Sequence, residues 1–224
     1  MPKTEKPAPP PRYAEGLRRH NAGDREGALA FFAELVRSFP GDAPAHYFHG
    51  LVLFRLGRFT EAVAPLRRSV ELFPGEDAFV KLALAQGQTG DLPACLETLE
   101  EAARRLPASA EVRAYLGTTL RSLDRVEEAL GAYGAALERD PDHVPALWGL
   151  GLALGMRDRH GEGMAALRRA IELDPAFPPP HFHLGVLAFA AGDPGETRRQ
   201  EALLRTLAPS YAGRLILLLE GKLP

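Results

Sequence analysis

Seven histidines and one cysteine are the side chains of this 224-residue chain best suited to metal binding or nucleophilic chemistry. His46 and His49 are three residues apart, which places both rings on one face of a helix, a spacing used by metal-binding pairs. His181 and His183 form a second pair. Neither pair has a third ligand at matching spacing, so no metal site is expected and the rings read as packing or solvent-facing groups. Gly149, Gly151 and Gly155 spell G-x-G-x-x-x-G, which misses the dinucleotide fingerprint by one residue and follows no strand. Cys95 has no histidine beside it in register and reads as a buried small hydrophobe, not a nucleophile. Arginine pairs recur at Arg67-Arg68, Arg104-Arg105, Arg168-Arg169 and Arg198-Arg199. Glutamates such as Glu71 and Glu172 stand four residues after an arginine, the pattern of a solvated helix face and not of a phosphate site. No catalytic constellation emerges, and neither an enzyme activity nor a cofactor is expected.

The elements that carry these residues follow from proline placement. Pro40, Pro74, Pro107, Pro141, Pro175 and Pro209 are spaced 34, 33, 34, 34 and 34 residues apart, the mark of a stacked repeat. A turn residue stands 17 positions before each of them: Gly23, Gly57, Gly90, Asp124, Asp158 and Gly192. Each unit is thus halved. Leu116, Leu120 and Leu123 share one helical stripe in the first half of the fourth unit, and Val126, Ala129, Leu130, Tyr133 and Leu137 share another in its second half. Prolines close each second helix, while Pro44, Pro93, Pro145 and Pro194 stand in first turns, where a missing N–H costs nothing. No alternating β-branched run occurs, so the fold class is all-α, built from antiparallel helix pairs. Small residues recur mid-way along the first helices (Gly16, Gly50, Ala83, Gly117, Gly151, Gly185) and early in the second (Ala28, Ala62, Cys95, Ala129, Gly163, Thr197). Glycine inside a helix costs about 1 kcal/mol against alanine, so its recurrence implies close helix approach.

This pattern resembles the tetratricopeptide repeat (TPR), as in ALWGLGLALGMRDRHGEGMAALRRAIELDP of the fifth unit and RAYLGTTLRSLDRVEEALGAYGAALERDP of the fourth. The resemblance covers residues 9–209. It implies a right-handed superhelical solenoid whose first helices line a concave face, and a general task of holding protein segments. The expected layout is a Pro-rich tail over 1–11, repeats at about 12–42, 43–75, 76–109, 110–143, 144–177 and 178–209, and a capping helix and tail over 210–224. Three departures stand out. Arg12, Glu15 and Arg19 replace apolar residues of the first unit, so its first helix is expected to be frayed or one-sided. Pro65 is expected to kink a second helix. Thr197 and Glu201 replace a small and an aromatic residue, so the last second helix is expected to pack less well.

By the same resemblance, three residues per first helix face the groove. These are Tyr13, Leu17 and His20; Tyr47, Leu51 and Phe54; Val80, Leu84 and Gly87; Ala114, Thr118 and Arg121; Trp148, Leu152 and Gly155; and Phe182, Val186 and Phe189, with Arg55 and Arg121 as the nearby charges. Family members that grip acidic C-terminal tails use a lysine and an asparagine one turn apart. Here the only asparagine is Asn21, so that clamp is not expected. An apolar, aromatic-edged groove fits a segment of another protein, anchored on Trp148, Tyr47, Phe182 and Arg121. The expected function is therefore a non-enzymatic scaffold or adaptor. The alternative is self-assembly through Leu215, Ile216, Leu217, Leu218 and Leu219, because five adjacent apolar residues point all round a helix.

Charge and composition narrow the setting. With 27 Lys plus Arg against 29 Asp plus Glu, the net charge of −2 offers no basic field for nucleic acid. No apolar stretch approaches the ~18–20 residues of a membrane span, and MPKTEKPAPPPR has no apolar core of a secretory signal. A single cysteine fits a reducing compartment, so the cytoplasm is the expected location. Arginine-rich, lysine-poor usage points to a bacterial genome rich in G and C.

Overall fold

The computed structural model describes residues 11–222. The proline-rich tail expected over 1–11 falls outside it except for Pro11, which is the first residue of a helix. Thirteen α-helices follow in order, with no strand among the described residues.

The first unit runs to Arg105 and holds α1 (Pro11–Asn21), α2 (Arg25–Ser38), α3 (Ala43–Arg55), α4 (Phe59–Leu72), α5 (Glu76–Gln88) and α6 (Leu92–Arg105). The second begins at Leu106 and holds α7 (Ala110–Ser122), α8 (Val126–Arg139), α9 (Val144–Gly155), α10 (His160–Leu173), α11 (Pro178–Ala190), α12 (Pro194–Leu207) and α13 (Pro209–Leu219). Within each unit the helices pack as consecutive pairs, and α13 packs on both α12 and α11.

Turn chemistry explains the pairing. All six turn residues hold positive φ, and Asp124 (59°) and Asp158 (57°) do so without glycine's freedom. At the α7–α8 turn, Asp124 N–H donates to the Arg121 carbonyl and Arg125 N–H to that of Leu120, closing the helix end. Asp24, Asp42, Ser109 and Asp193 cap the next helices through side-chain acceptors.

The small-residue columns are contact points. A Cβ on Gly50 would meet Leu66 at 2.6 Å, one on Gly117 would meet Tyr133 at 2.8 Å, and one on Gly151 would meet Leu167 at 2.6 Å. In these repeats, as at Gly16 and Phe32, the large residue of the second helix is thus seated against the glycine of the first, and Phe32, Leu66, Tyr133 and Leu167 are fully buried there. Each such side chain contributes on the order of 1.5–3 kcal/mol through burial.

Two of the three departures resolve by polar pairing. On α1 the charges face outward and pair: Glu15 binds Arg18 and Arg19, and Arg12 reaches Asp42 at 3.2 Å. Its other side is anchored by Tyr13, which is 1% exposed and donates its hydroxyl to Asp42 at 2.7 Å. Pro65 lies inside α4, which continues to Leu72. Thr197 and Glu201 are buried, contrary to expectation; the Thr197 hydroxyl donates to the Gly185 carbonyl at 3.0 Å and Glu201 pairs with Arg205.

Candidate functional site

One histidine of each pair is committed to a loop carbonyl. His46 Nε2 lies 3.0 Å from the carbonyl oxygen of Pro40, and His181 Nε2 lies 3.0 Å from that of Pro175. Arg113 donates to the Pro107 carbonyl at 3.0 Å from the same place in its repeat. A donor near the start of a first helix thus satisfies the carbonyl of the loop proline six residues earlier.

Open space lies on the first-helix face of the second unit, where α7 packs on α9 and α9 on α11. Toward the N-terminal ends of these helices is a pocket of about 270 Å³ lined by Glu111, Ala114, Tyr115, Thr118, Pro145, Trp148 and Phe177. The Trp148 indole is half-buried, edge-on to Phe177 (5.7 Å) and to His183 (5.8 Å). His183 Nδ1 lies 2.9 Å from the Pro179 carbonyl, which needs a proton on that nitrogen. The Trp148 N–H, 3.5 Å from the same nitrogen, therefore finds no lone pair there and keeps a donor to offer. Beneath the pocket, Tyr133 is clasped between Gly117 and Gly149 and shares a 3.0 Å hydrogen bond with Thr118.

A second pocket of about 260 Å³ opens toward the C-terminal ends, lined by Arg121, Leu152, Gly155, Met156, His183, Val186 and Leu187. The Nε of Arg121 is buried and has no hydrogen-bond partner. Burial, together with the charges of Arg121 and Arg214, holds the His183 pKa below the usual imidazole range, against an opposing hydrogen bond to Pro179.

Of the residues expected in the groove, Thr118, Arg121, Trp148, Leu152 and Val186 come together around these two pockets. Phe189 is exposed at the end of α11. In the first unit Tyr47, Leu51, Phe54 and Leu84 are half-buried and Arg55 is exposed. Burial is the main reason the Tyr47 phenol is pushed up to about 12, with Asp77 adding to it. Phe54 sits edge-on to Phe59 at 5.0 Å, and Leu17 packs against the buried cluster around Phe32.

Three assignments need correction. Tyr13 belongs to the core, because its hydroxyl is spent on Asp42 and its ring packs on Phe48. Phe182 is 7% exposed: Tyr211 (5.1 Å) and the Arg214 guanidinium (4.5 Å) of α13 cover it. Leu215 is fully buried over Gly185, so it is not a surface residue. Residues the sequence reading did not place in the groove include Tyr115, Met156, Phe177 and His183. Phe177 lies in a loop, and its aromatic ring directly before Pro178-Pro179-Pro180 was the available signal. Elsewhere, a shallow depression of about 720 Å³ in the first unit is walled by Phe39 and Phe73, both exposed in Phe-Pro-Gly turns.

The tetratricopeptide-repeat family profile matches residues 13–77, 80–133 and 116–178, most of the chain. The chain is a tetratricopeptide repeat protein. Among relatives of this TPR protein, a BBSome complex member BBS4 homolog of Drosophila melanogaster is 31% identical over 127 residues, which is 56% of this chain and 25% of the relative. The chain thus spans about a quarter of that protein's length. YrrB, described as a TPR protein with an unusual peptide-binding site, superposes with a TM-score of 0.60 at 22% identity, over 76% of this chain and 88% of its own. A thermophilic TPR protein of Thermus thermophilus gives a TM-score of 0.68 at 22% identity, over 80% of this chain and 99% of its own. These likenesses establish the TPR fold, an all-α repeat of helix pairs. No helix among the described residues is long and apolar enough to cross a membrane.

Proposed function

We propose that this TPR protein is a non-enzymatic scaffold that holds a segment of a partner protein on the first-helix face of its second unit. The observation that carries this reading is Trp148, a half-buried indole with an uncommitted N–H on the rim of an open apolar pocket. Large, rigid side chains of this kind supply binding area at small entropic cost and dominate many interfaces. A partner's apolar side chain fits between Trp148, Tyr115 and Phe177, and a partner carbonyl can accept the Trp148 N–H. YrrB gives a precedent for peptide binding by a protein of this fold. Capture of partners by the whole chain and by its Trp148→Ala variant tests the reading. Loss of the captured protein at an unchanged melting temperature is expected; a lowered melting temperature with the partner retained would make Trp148 a core residue only.

A second reading is self-association at the end of the array. Leu203 on α12 and Leu217 on α13 are 50% and 39% exposed, while Leu218 packs against the cluster beneath. Light scattering of the chain against a Leu203→Glu, Leu217→Glu variant decides it, since a monomer in both cases removes the reading.

A further inference from the structure

Charge is distributed unevenly over the second unit. Arg125, Arg157, Arg159, Arg169, Arg199 and Arg205 each lie within 2.5–2.9 Å of a carboxylate oxygen. Arg113, Arg121, Arg168, Arg198 and Arg214 form no ion pair among the described residues; of these Arg121 lines the second pocket, while Arg113 donates to the Pro107 carbonyl although its Nε too is buried without a partner. The Arg214 guanidinium lies over the Phe182 ring instead, and the Nε of Arg121 is buried without an acceptor. A buried donor left unsatisfied is costly, and an incoming acceptor relieves it. His183 lines the same pocket and feels both cations. The hollow beside Arg121 is otherwise aliphatic, formed by Leu152, Val186 and Leu187. It is a cationic spot in a greasy pocket, waiting for a counter-charge.

We propose that this pocket receives an acidic side chain of the partner segment, whose carboxylate accepts hydrogen bonds from Arg121 while its methylenes rest on Leu152 and Val186. The proposal rests on the groove reading above and names the partner chemistry it requires. A side chain is favoured over a chain-terminal carboxylate because the open donor is buried. A carboxylate on one or two methylenes reaches into the pocket, whereas a terminal carboxylate stays at the height of the partner's backbone. The two pockets are far enough apart for distinct residues: Ala114 and Arg121 are seven positions apart on α7, about 10 Å along the axis. The partner segment therefore combines an apolar anchor with an acid roughly 10 Å away.

The test uses the full chain and a random dodecapeptide library acetylated and amidated at its ends, so that only side chains carry carboxylates. Selected peptides are expected to be enriched in Glu or Asp beside an apolar anchor. Replacing that Glu by Gln should weaken binding about tenfold or more, as should Arg121→Gln. The two changes together should cost little more than either alone, the signature of a direct pair. Arg121→Gln should not lower the melting temperature, since it breaks no ion pair and removes an unsatisfied buried donor, and should raise the His183 pKa read by NMR. Selected peptides lacking an acid, or additive losses, overturn the proposal; if Trp148→Ala still abolishes their binding, the groove reading survives. Selection that demands a free C-terminus overturns it in favour of a chain-end carboxylate. Peptides indifferent to both variants, or no selection at all, overturn both.

Discussion

Gly149 and Gly131 are chemically the same residue in unlike surroundings. A Cβ on Gly149 would stand 2.4 Å from the Tyr133 ring, whereas one on Gly131 in α8 meets nothing within 4 Å. Gly149→Ala should therefore destabilise the chain by about 1–3 kcal/mol through overpacking, and Gly131→Ala should stabilise it by up to about 1 kcal/mol through helix propensity, both read by urea denaturation. The histidines give a pH signature. Burial lowers the pKa of His20, His49 and His183 below that of the unfolded chain, so the unfolded state binds more protons in that window. Stability is full above the ordinary imidazole pKa of about 6.5 and falls as pH drops through it toward the depressed values. His183→Gln should flatten part of that slope between pH 7 and 5 in thermal melts. Which glycine tolerates a methyl, and which histidine is buried, could not be read from spacing alone. Both depend on what the neighbouring helix places opposite.

Among the elements, α13 shows the gap between pattern and packing most clearly. Its run Leu215-Ile216-Leu217-Leu218-Leu219 is apolar all round, and the sequence does not say which residue faces inward. In the structure Leu215 fills the space over Gly185, and Tyr211 and Arg214 cover Phe182, closing the last repeat's first-helix column. Leu215→Ala should cost about 2–5 kcal/mol and expose Phe182, measured by denaturation and by hydrogen exchange of α11 and α12. The first repeat offers the converse case. Arg12, Glu15 and Arg19 point to a frayed or one-sided α1; it is one-sided, and Tyr13 and Asp42 tie it to the start of α3, where Asp42 also caps the helix by accepting from Ala45 N–H. That contact joins residues 29 apart, beyond what local pattern can report.

Over the whole chain, repeats that touch mainly their neighbours should lose stability locally. Leu66→Ala, emptying the seat beside Gly50, should lower hydrogen-exchange protection in α3 to α5 far more than in α9 to α11. Uniform loss throughout would mean a single cooperative block. Helix pairing and repeat number were legible because they rest on local physics: prolines that stop helices, left-handed turns every 34 residues, and glycines where helices touch. The face that carries open pockets was not legible. The same column holds Tyr13, Trp148 and Phe182, yet one is spent on a buried aspartate, one stands at an open rim, and one lies under the final helix. A residue's place in the repeat is set by helical periodicity, which the amino-acid order contains. Whether that place stays open is set by side chains arriving from other helices, and only the folded chain brings them there.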